Sequence, residues 1–235
     1  MTGTLYLIPV PLGPGAPQAV LAPQTLAALH PLRHFVVENA KSARAFLKAA
    51  GTALPLQELQ LNELNEHSRP SDIAPLLAPL LAGEDVGLLS EAGCPAVADP
   101  GAALVALAQE KNIRILPLIG PSALLLALMG SGLDGQRFAF HGYLPAKEAE
   151  RSSALRELEK ESRHKRQTQL CIETPYRNTA LFAAFLKHCQ PTTRLCVASD
   201  LSLPSETIRT QTIAAWKKQT PPDLERRPTV FLLLA

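Results

Sequence analysis

The 235-residue sequence contains little cysteine, few aromatic residues and almost no net charge. Its four cysteines form no C-x-x-C pair, and no histidine stands at zinc-finger spacing, so we expect no metal site. Aromatic residues make up 5% of the chain, and the formal net charge of +2 excludes a strong overall field toward nucleic acid or anionic lipid. Any basic patch must therefore be local.

Long apolar runs are also missing. The first residues, MTGTLYLIPVPLG, have no basic start followed by an extended apolar segment, which disfavours a signal peptide. The longest uncharged run, from Ile115 to Leu133, is interrupted by prolines and glycines, whereas a helix that crosses a bilayer needs about 20 mostly apolar residues. We therefore expect no membrane partner, and a cytoplasmic protein whose thiols stay reduced.

The first half of the chain alternates short apolar runs with segments of helical periodicity. Five segments are typical of strands: TLYLIPV, RHFVVEN, LPLQELQLN, EDVGLLS and NIRILPLIG. Helical segments separate them: APQAVLAPQTLAALHPL, KSARAFLKAAG, SDIAPLLAPLLAG and a helix from about Asp99. This alternation predicts an α/β lobe with a mostly parallel five-stranded sheet over residues 1–120.

The second half, residues 121–235, has a different pattern. A helix is expected to begin at the GPSA segment, and a long charged helix follows the strand GQRFAFHGYLP. Further strands are predicted at TQLCIETP, TRLCVASDLS, ETIRTQTI and PTVFLLLA, with helices at 176–187 and 213–218. Because several strands are short and adjacent in sequence, we predict a second α/β lobe with a mixed sheet.

The corner SEAGCPAVADPG, from Ser90 to Gly101, is built from small, rigid and acidic residues and is longer than a plain strand-to-helix connection. Its glycines allow close approach of a ligand to the main chain, and its prolines fix the loop in one shape. Asp99 is placed either to cap the following helix or to contact a ligand. Loops at the carboxyl ends of parallel strands are where open α/β sheets bind ligands.

Other motifs leave alternatives open. PVPLGPG after the first strand matches the dinucleotide fingerprint G-x-G-x-x-G only in part, because Gln18 stands at the third glycine position, although Glu38 ends the second strand as a ribose-binding acid does. The GPSA segment fits a hinge and a helix cap, or a helix start that binds a carboxylate. Glu173 and Arg177 fit a surface ion pair or a functional pair.

Two weaker signals are a basic cluster and one histidine. The basic cluster RHKR at residues 163–166 lies at a helix end, where cations suit the helix dipole, so a solvated helix end is favoured over a nucleic-acid patch. His67 follows a strand and fits either a structural role or that of a base.

Together, the motifs resemble one known family across nearly the whole chain. LYLIPVPLG, FVVENAKSARAFLK, LLSEAGCPAVADPG, PLIGPSALLLALMGSGL, RFAFHGYLP, IETPYRN and ASDLSLPSE occur in the order of the tetrapyrrole methylase superfamily, the two-lobed methyltransferases that use S-adenosylmethionine. The sequence is most similar to the branch that methylates a cytidine ribose 2′-oxygen in bacterial small-subunit ribosomal RNA. The resemblance implies a homodimer that binds S-adenosylmethionine and an RNA substrate and needs no metal.

The resemblance also implies a methyl-donor site in a cleft between the lobes, lined largely by backbone groups. The positions that match the family's donor-binding segments are Pro9, Gly13, Ser90, Glu91, Ala92, Gly93, Asp99, Gly101, Gly120, Ser122, Ala123, Pro175 and Ala198. The catalytic candidates by position are Glu38, His67, Glu173 and Arg177, with Glu91 as a further candidate base. Lys41 and Arg177 are expected to steady phosphate or developing negative charge.

Several positions depart from the branch pattern. Glu38-Asn39-Ala40-Lys41 stands where the branch usually has Glu-Asp-Thr-Arg, and Thr174-Pro175-Tyr176-Arg177 where it has Ser-Pro-His-Arg. Ser199 and Asp200 replace arginine and glutamate, and family members typically continue past the strand matching PTVFLLLA into a small module. Because these departures lie on the acceptor side, two alternatives stay open: methylation of a small molecule such as a tetrapyrrole, and donor binding without turnover.

Overall fold

The computed structural model describes residues 2–235, which form two compact units. Unit 1 ends at Ser122 and unit 2 begins at Ala123. Each unit contains one five-stranded sheet.

The sheet of unit 1 has the strand order β3-β2-β4-β1-β5, and every neighbouring pair is parallel. Its strands are β1 (Thr4–Ile8), β2 (His34–Val37), β3 (Gln60–Glu63), β4 (Val86–Leu89) and β5 (Arg114–Pro117). The helices are α1 (Pro23–Leu29), α2 (Ala40–Ala50), α3 (Pro70–Ile73), α4 (Ala78–Leu81) and α5 (Gly101–Glu110). The prediction of a parallel five-stranded lobe is confirmed.

The strand order places a ligand-binding crevice in unit 1. Strands β2 and β4 are neighbours, but the chain leaves β2 toward β3 at one edge of the sheet and leaves β4 toward β5 at the other. Where connections diverge in this way, helices cannot cover the carboxyl ends of both strands, and a crevice opens there. The loop that begins at Ser90 and the N-terminal end of α2 are therefore the elements to inspect for a site.

Two helices predicted as continuous are broken by proline. The segment APQAVLAPQTLAALHPL forms a 3₁₀ turn at Pro17–Ala19 and then α1, because Pro23 suits a first helical position but cannot continue a preceding helix. SDIAPLLAPLLAG likewise divides into α3, a 3₁₀ turn at Ala74–Leu77, and α4. The missing N–H groups of Pro75 and Pro79 account for those breaks.

The sheet of unit 2 has the order β6-β7-β10-β8-β9. The pair β6–β7 is parallel and the other three pairs are antiparallel, so the predicted mixed sheet is confirmed. The strands are β6 (Phe138–Tyr143), β7 (Thr168–Ile172), β8 (Arg194–Ser199), β9 (Thr207–Thr212) and β10 (Thr229–Leu234). The helices are α6 (Ala123–Ser131), α7 (Glu148–Lys165), α8 (Asn178–His188) and α9 (Ile213–Trp216).

Aromatic rings and one buried carboxylate organise the core of unit 2. The ring of Trp216 packs edge-on against that of Phe182 at 5.3 Å, and its indole nitrogen donates to the Leu195 carbonyl. Glu159 of α7 is buried and accepts a hydrogen bond of 2.7 Å from the Gln190 backbone. The long charged helix α7 is therefore partly buried.

Candidate functional site

Three segments that are distant in sequence meet at the carboxyl edge of the unit 1 sheet. The first is the loop after β1, the second is the loop between β4 and α5, and the third is the segment that follows β5. The first and second are joined by a two-residue antiparallel bridge, in which Val10 and Gly93 exchange backbone hydrogen bonds of 2.9 and 3.1 Å. The third is held to the second by the Cys94 thiol, which donates to the Pro121 carbonyl at 3.4 Å. The Thr25 hydroxyl donates to the Ile119 carbonyl at 2.7 Å and fixes the third segment from the other side.

Two glycines make this close approach possible. A Cβ atom on Gly120 would lie 2.3 Å from the Cβ of Pro9, a distance that real side chains do not adopt. Gly93 has φ of +76°, in the left-handed region, and a Cβ there would lie 3.2 Å from the Leu12 side chain. Larger residues at these positions would push the three segments apart.

Asp99 ties the loop between β4 and α5 into one shape. Its carboxylate accepts hydrogen bonds from the N–H groups of Ala96, at 2.9 Å, and Gly101, at 2.7 Å. Ala96 and Ala98 have φ of 65° and 60°, a conformation that costs a residue with a Cβ about 1–2 kcal/mol. Such strain persists only where surrounding contacts hold it, and it is concentrated at ligand sites. Burial raises the pKa of Asp99, and the two backbone hydrogen bonds oppose that rise.

The crevice between β2 and β4 contains the carboxylates of Glu38 and Glu91. The Glu91 N–H donates to Glu38 Oε1 at 3.1 Å, and the Ser42 hydroxyl donates to Glu91 Oε1 at 2.5 Å. Asn39 caps α2 by accepting from the N–H groups of Lys41 and Ser42, which places Ser42 beside Glu91. Burial raises the pKa of Glu38 above its ordinary value, and the nearby charges of Asp99 and Glu91 raise it further.

A pocket of about 390 Å³ opens beside these carboxylates, within the size range of small-ligand sites. Its wall is mostly apolar, and its polar side chains are those of Ser42, Ser90 and Glu91. Lining residues come from the loop after β1, from α2 and from the end of β4: Val10 to Gly15, Pro17, Ser42, Ala43, Ala45, Phe46, Ala49 and Leu89 to Glu91. The crevice expected from the strand order therefore contains a cavity.

Most of the predicted donor-binding positions of unit 1 belong to this assembly. Gly13, Ser90 and Glu91 line the pocket, Pro9 contacts Gly120, and Gly93 lies on the bridge. Among residues 2–235, the backbone N–H groups of Ala92 and Cys94 find no acceptor, so both are free to bind a ligand. No observation tests the individual assignments, including those of Ser122 and Ala123, and they stay predictions.

In unit 2, Glu173 and Arg177 form an ion pair with one buried member. Arg177 Nη2 lies 2.7 Å from Glu173 Oε1, and the side chain of Glu173 has no exposed surface, whereas that of Arg177 is 41% exposed. The pair is therefore not the simple surface pair considered as one alternative. Because Glu173 also accepts from the Thr174 N–H at 2.7 Å, its geometry fits an anchor for Arg177 better than a proton acceptor.

The remaining predicted residues have contrasting environments. Pro175 is half-buried in the loop after β7, and Ala198 has no exposed surface in β8, where it pairs with Val230 and Ile208. The His67 side chain is 85% exposed and lies 3.7 Å from Glu66. The structure does not bring His67 to the pocket lining.

Some members of the site were missed from the sequence. Ser42 and Phe46 line the pocket from α2, and Val10 forms the bridge to Gly93. The signal that could have found the first two is the spacing i, i+3, i+4, i+7 of residues 42, 45, 46 and 49, which places them on one helix face.

Among residues 2–235, no three His, Cys, Asp or Glu side chains cluster closely enough to hold a metal ion. Within the same range, the structure contains no helix with the length and hydropathy needed to cross a membrane.

Comparison with known proteins connects this geometry to a family. A sequence model of the tetrapyrrole (corrin/porphyrin) methylases matches residues 5–216. The ribosomal RNA small subunit methyltransferase I of Pseudomonas aeruginosa is 32% identical over 212 residues, which cover 90% of this chain and 71% of that protein. The protein of the same name from Xylella fastidiosa is 32% identical over 232 residues, covering 99% of this chain and 81% of that protein.

A solved structure agrees on the fold. The methyltransferase CobJ superposes with a TM-score of 0.65 at 19% identity, covering 100% of this chain and 94% of that chain. The extent of the family match and the identity to the two relatives go beyond a shared fold. The chain therefore belongs to the tetrapyrrole (corrin/porphyrin) methylase family, whose members are S-adenosylmethionine-dependent methyltransferases.

Proposed function

We propose that this chain transfers the methyl group of S-adenosylmethionine to a ribose 2′-hydroxyl of small-subunit ribosomal RNA. The observation that carries the proposal is the 32% identity, over 90% and 99% of this chain, to relatives that are named for methylating that RNA. A protein with this substrate acts in the cytoplasm. The RNA assignment comes from the relatives, whereas the site geometry supports the donor and the type of chemistry.

The donor site we propose is the meeting point of the three segments in unit 1. The free N–H groups of Ala92 and Cys94 suit the donor's carboxylate, and the small residues around Gly93 leave the main chain open to a bulky ligand. The loop is already fixed by Asp99, so binding costs little ordering of the backbone. These features fit S-adenosylmethionine.

Bound S-adenosylmethionine would supply an electrophilic methyl carbon on a sulfonium, whose sulfur keeps the electron pair of the broken bond. The protein then has to align the acceptor oxygen about 3 Å from that carbon, exclude water and accept the hydroxyl proton. Glu91 lines the pocket, and Ser42 orients its carboxylate. The Glu91 N–H donates to Glu38, whose pKa is raised by burial. We propose Glu91, backed by Glu38, as the proton acceptor.

We further propose that the protein is a homodimer that buries part of unit 2. Large apolar side chains are exposed there, including Leu125 at 52% and Met129 at 79% on α6, and Phe138 at 42% and Tyr143 at 56% on β6. Large exposed apolar side chains are candidates for a subunit contact surface. Light scattering after size exclusion should give twice the chain mass, and Met129→Glu should shift it toward the monomer.

Tritium transfer tests the catalytic proposal. Purified protein and methyl-tritiated S-adenosylmethionine are incubated in two separate reactions. One contains total RNA and the other a low-mass extract, both from cells that lack the gene. We expect label in small-subunit ribosomal RNA, and alkaline hydrolysis should leave a labelled dinucleotide because a 2′-O-methyl group blocks cleavage. Label confined to the low-mass extract would instead establish a small-molecule acceptor, and donor binding with no transfer would establish a binding protein.

A further inference from the structure

Helix α2 presents three different faces. Ala43 and Leu47 are buried, at 7% and 0% exposure, and attach the helix to the sheet. Residues 42, 45, 46 and 49 form a second face that lines the pocket. Lys41, Arg44 and Lys48 follow the spacing i, i+3, i+7, so these exposed cations share a third face. We call this third face the basic stripe.

Helix stability does not explain the basic stripe. Among the residues described, from 2 to 235, none of its three cations forms an ion pair. Lys48 suits the negative end of the helix dipole, but Lys41 lies in the first turn, where a cation is unfavourable. The two nearby carboxylates are bonded elsewhere, since Glu63 accepts from the Ala40 N–H and Glu91 from the Ser42 hydroxyl.

The basic cluster at residues 163–166 is the competing surface, and there folding does explain the cations. Lys165 pairs with Glu161 at 3.2 Å within α7, and one turn earlier Lys160 pairs with Glu157 at 3.4 Å. The cluster also lies in the last turn of the helix, where positive charge is favourable.

The pocket beside the basic stripe has the character of a nucleoside site. Phe46, Ala45 and Ala49 give it an apolar wall against which a base can stack, and Glu91 and Ser42 supply polar groups. A volume of about 390 Å³ suits one nucleoside and not a base pair. A nucleotide must therefore leave the helical stack before it enters, as happens when proteins recognise single-stranded RNA.

We propose that α2 is the RNA-docking helix, with the phosphates of a single-stranded segment along Lys41, Arg44 and Lys48 and the acceptor nucleoside in the pocket against Phe46. Lys41 and Lys48 are seven residues apart, about 10 Å along the helix axis, so the basic stripe follows more than one phosphate. The nucleoside would reach Glu91, which lies on the loop of the proposed donor site. This inference rests on the proposed function and names the surface that selects its substrate.

Salt-dependent RNA binding tests the basic stripe. The probe is small-subunit ribosomal RNA from cells that lack the gene, bound to the full chain in the presence of S-adenosylhomocysteine. In the variant K41Q/R44Q/K48Q, we expect affinity at 100 mM salt to fall at least tenfold. The slope of log affinity against log salt should flatten by about 2, because each lost phosphate contact on a single strand contributes about 0.7. The matched control K160Q/R163Q/K165Q removes the same charge from α7 and should stay within twofold of wild type.

A second variant separates docking from entry into the pocket. Ala49 is exposed and lines the pocket, so A49W should fill the cavity without disturbing the core. We expect its RNA affinity to stay within threefold of wild type while single-turnover methyl transfer falls at least 100-fold. The melting temperature should be unchanged in both α2 variants, and binding of S-adenosylmethionine should be unchanged in K41Q/R44Q/K48Q.

The outcomes distinguish the two proposals. Wild-type methylation of RNA together with unchanged affinity and salt slope in K41Q/R44Q/K48Q would overturn docking on α2 and leave the proposed function standing. Full methyl transfer by A49W would overturn the pocket as the acceptor site. A third outcome is that the basic-stripe variant loses RNA affinity while the wild-type protein methylates only a low-mass acceptor. That result would support docking and overturn the proposed function. A wild-type protein that neither binds nor methylates RNA would overturn both.

Discussion

Arg177 donates two hydrogen bonds, of 2.7 and 3.0 Å, to one oxygen of Glu173, while the second oxygen of that carboxylate is buried and has no partner among residues 2–235. A buried carboxylate paired with one half-exposed cation depends strongly on that cation, because its one other hydrogen bond, from the Thr174 N–H, is neutral and cannot balance the charge. Arg177 is thereby kept in a fixed orientation at the start of α8.

Replacing Arg177 by Met should therefore leave an uncompensated charge inside unit 2. We expect the free energy of unfolding to fall by about 2 kcal/mol, below the usual cost of breaking a buried pair because Arg177 is itself 41% exposed. Lys187→Met is the matched control, since it breaks a solvent-exposed pair with Glu148 and should cost clearly less. Urea denaturation measures both. Equal losses would show that the Glu173 pair has no special weight.

Asp99→Ala should loosen the loop between β4 and α5, because the N–H groups of Ala96 and Gly101 lose their acceptor. The left-handed alanines would then relax, and we expect affinity for S-adenosylmethionine to fall at least tenfold by calorimetry. Asp223→Ala removes an exposed carboxylate that also accepts a backbone hydrogen bond, from Glu225, and should leave donor affinity unchanged. Similar affinity in both variants would mean that Asp99 does not shape the donor site.

Cys94 offers a chemical probe of the same loop. Cys171, Cys189 and Cys196 are buried, and burial raises the pKa of Cys189 to about 12, so a maleimide should label only Cys94 in the native protein. The Cys94 thiol donates a hydrogen bond to the Pro121 carbonyl, at the meeting point of the segments that form the proposed donor site. Saturating S-adenosylmethionine should therefore cover the thiol and slow the labelling at least tenfold. Mass spectrometry of tryptic peptides measures the rate. An unchanged rate would place the donor away from this loop.

Glu38→Gln should change the pH dependence of stability. Since burial raises the pKa of Glu38 above 4.5, the native state binds more protons than the unfolded state just above that pH, and the contribution of Glu38 to stability falls as pH rises through this window. Relative to wild type, the variant should gain stability from pH 4.5 upward and level off once Glu38 is ionised. Glu66→Gln, on a side chain 86% exposed, is the control. A flat difference for Glu38→Gln would contradict the desolvation inferred here.

The sequence predicts the two sheets because their strands carry a local signature. Apolar runs such as VGLL in β4 are buried along their whole length, which a fully covered parallel strand requires. The effect of proline on a helix is equally local. The apolar periodicity nevertheless continues through Pro75 and Pro79, so the pattern predicted one helix where the structure has two breaks. The loop from Ser90 to Gly101 stands out because its composition is itself unusual.

What the sequence could not supply depends on contacts between distant segments. The bridge between Val10 and Gly93 follows from the strand order, which places β1 beside β4. The burial of Glu173 likewise depends on how unit 2 packs around β7, so a pattern of Glu and Arg four residues apart could not distinguish it from a surface pair. The pocket exists only once α2 faces the loop after β1.

The most direct test of the donor site is calorimetric titration of S-adenosylmethionine into wild type, Gly120→Ala and Gly135→Ala. A methyl group at Gly120 would meet Pro9 at 2.3 Å and force the segments apart, whereas one at Gly135 meets nothing within 4 Å. We predict that wild type and Gly135→Ala bind the donor equally, and that Gly120→Ala binds it at least 30-fold more weakly while still folding. Equal binding by all three proteins would contradict a donor site built on the contact between Pro9 and Gly120.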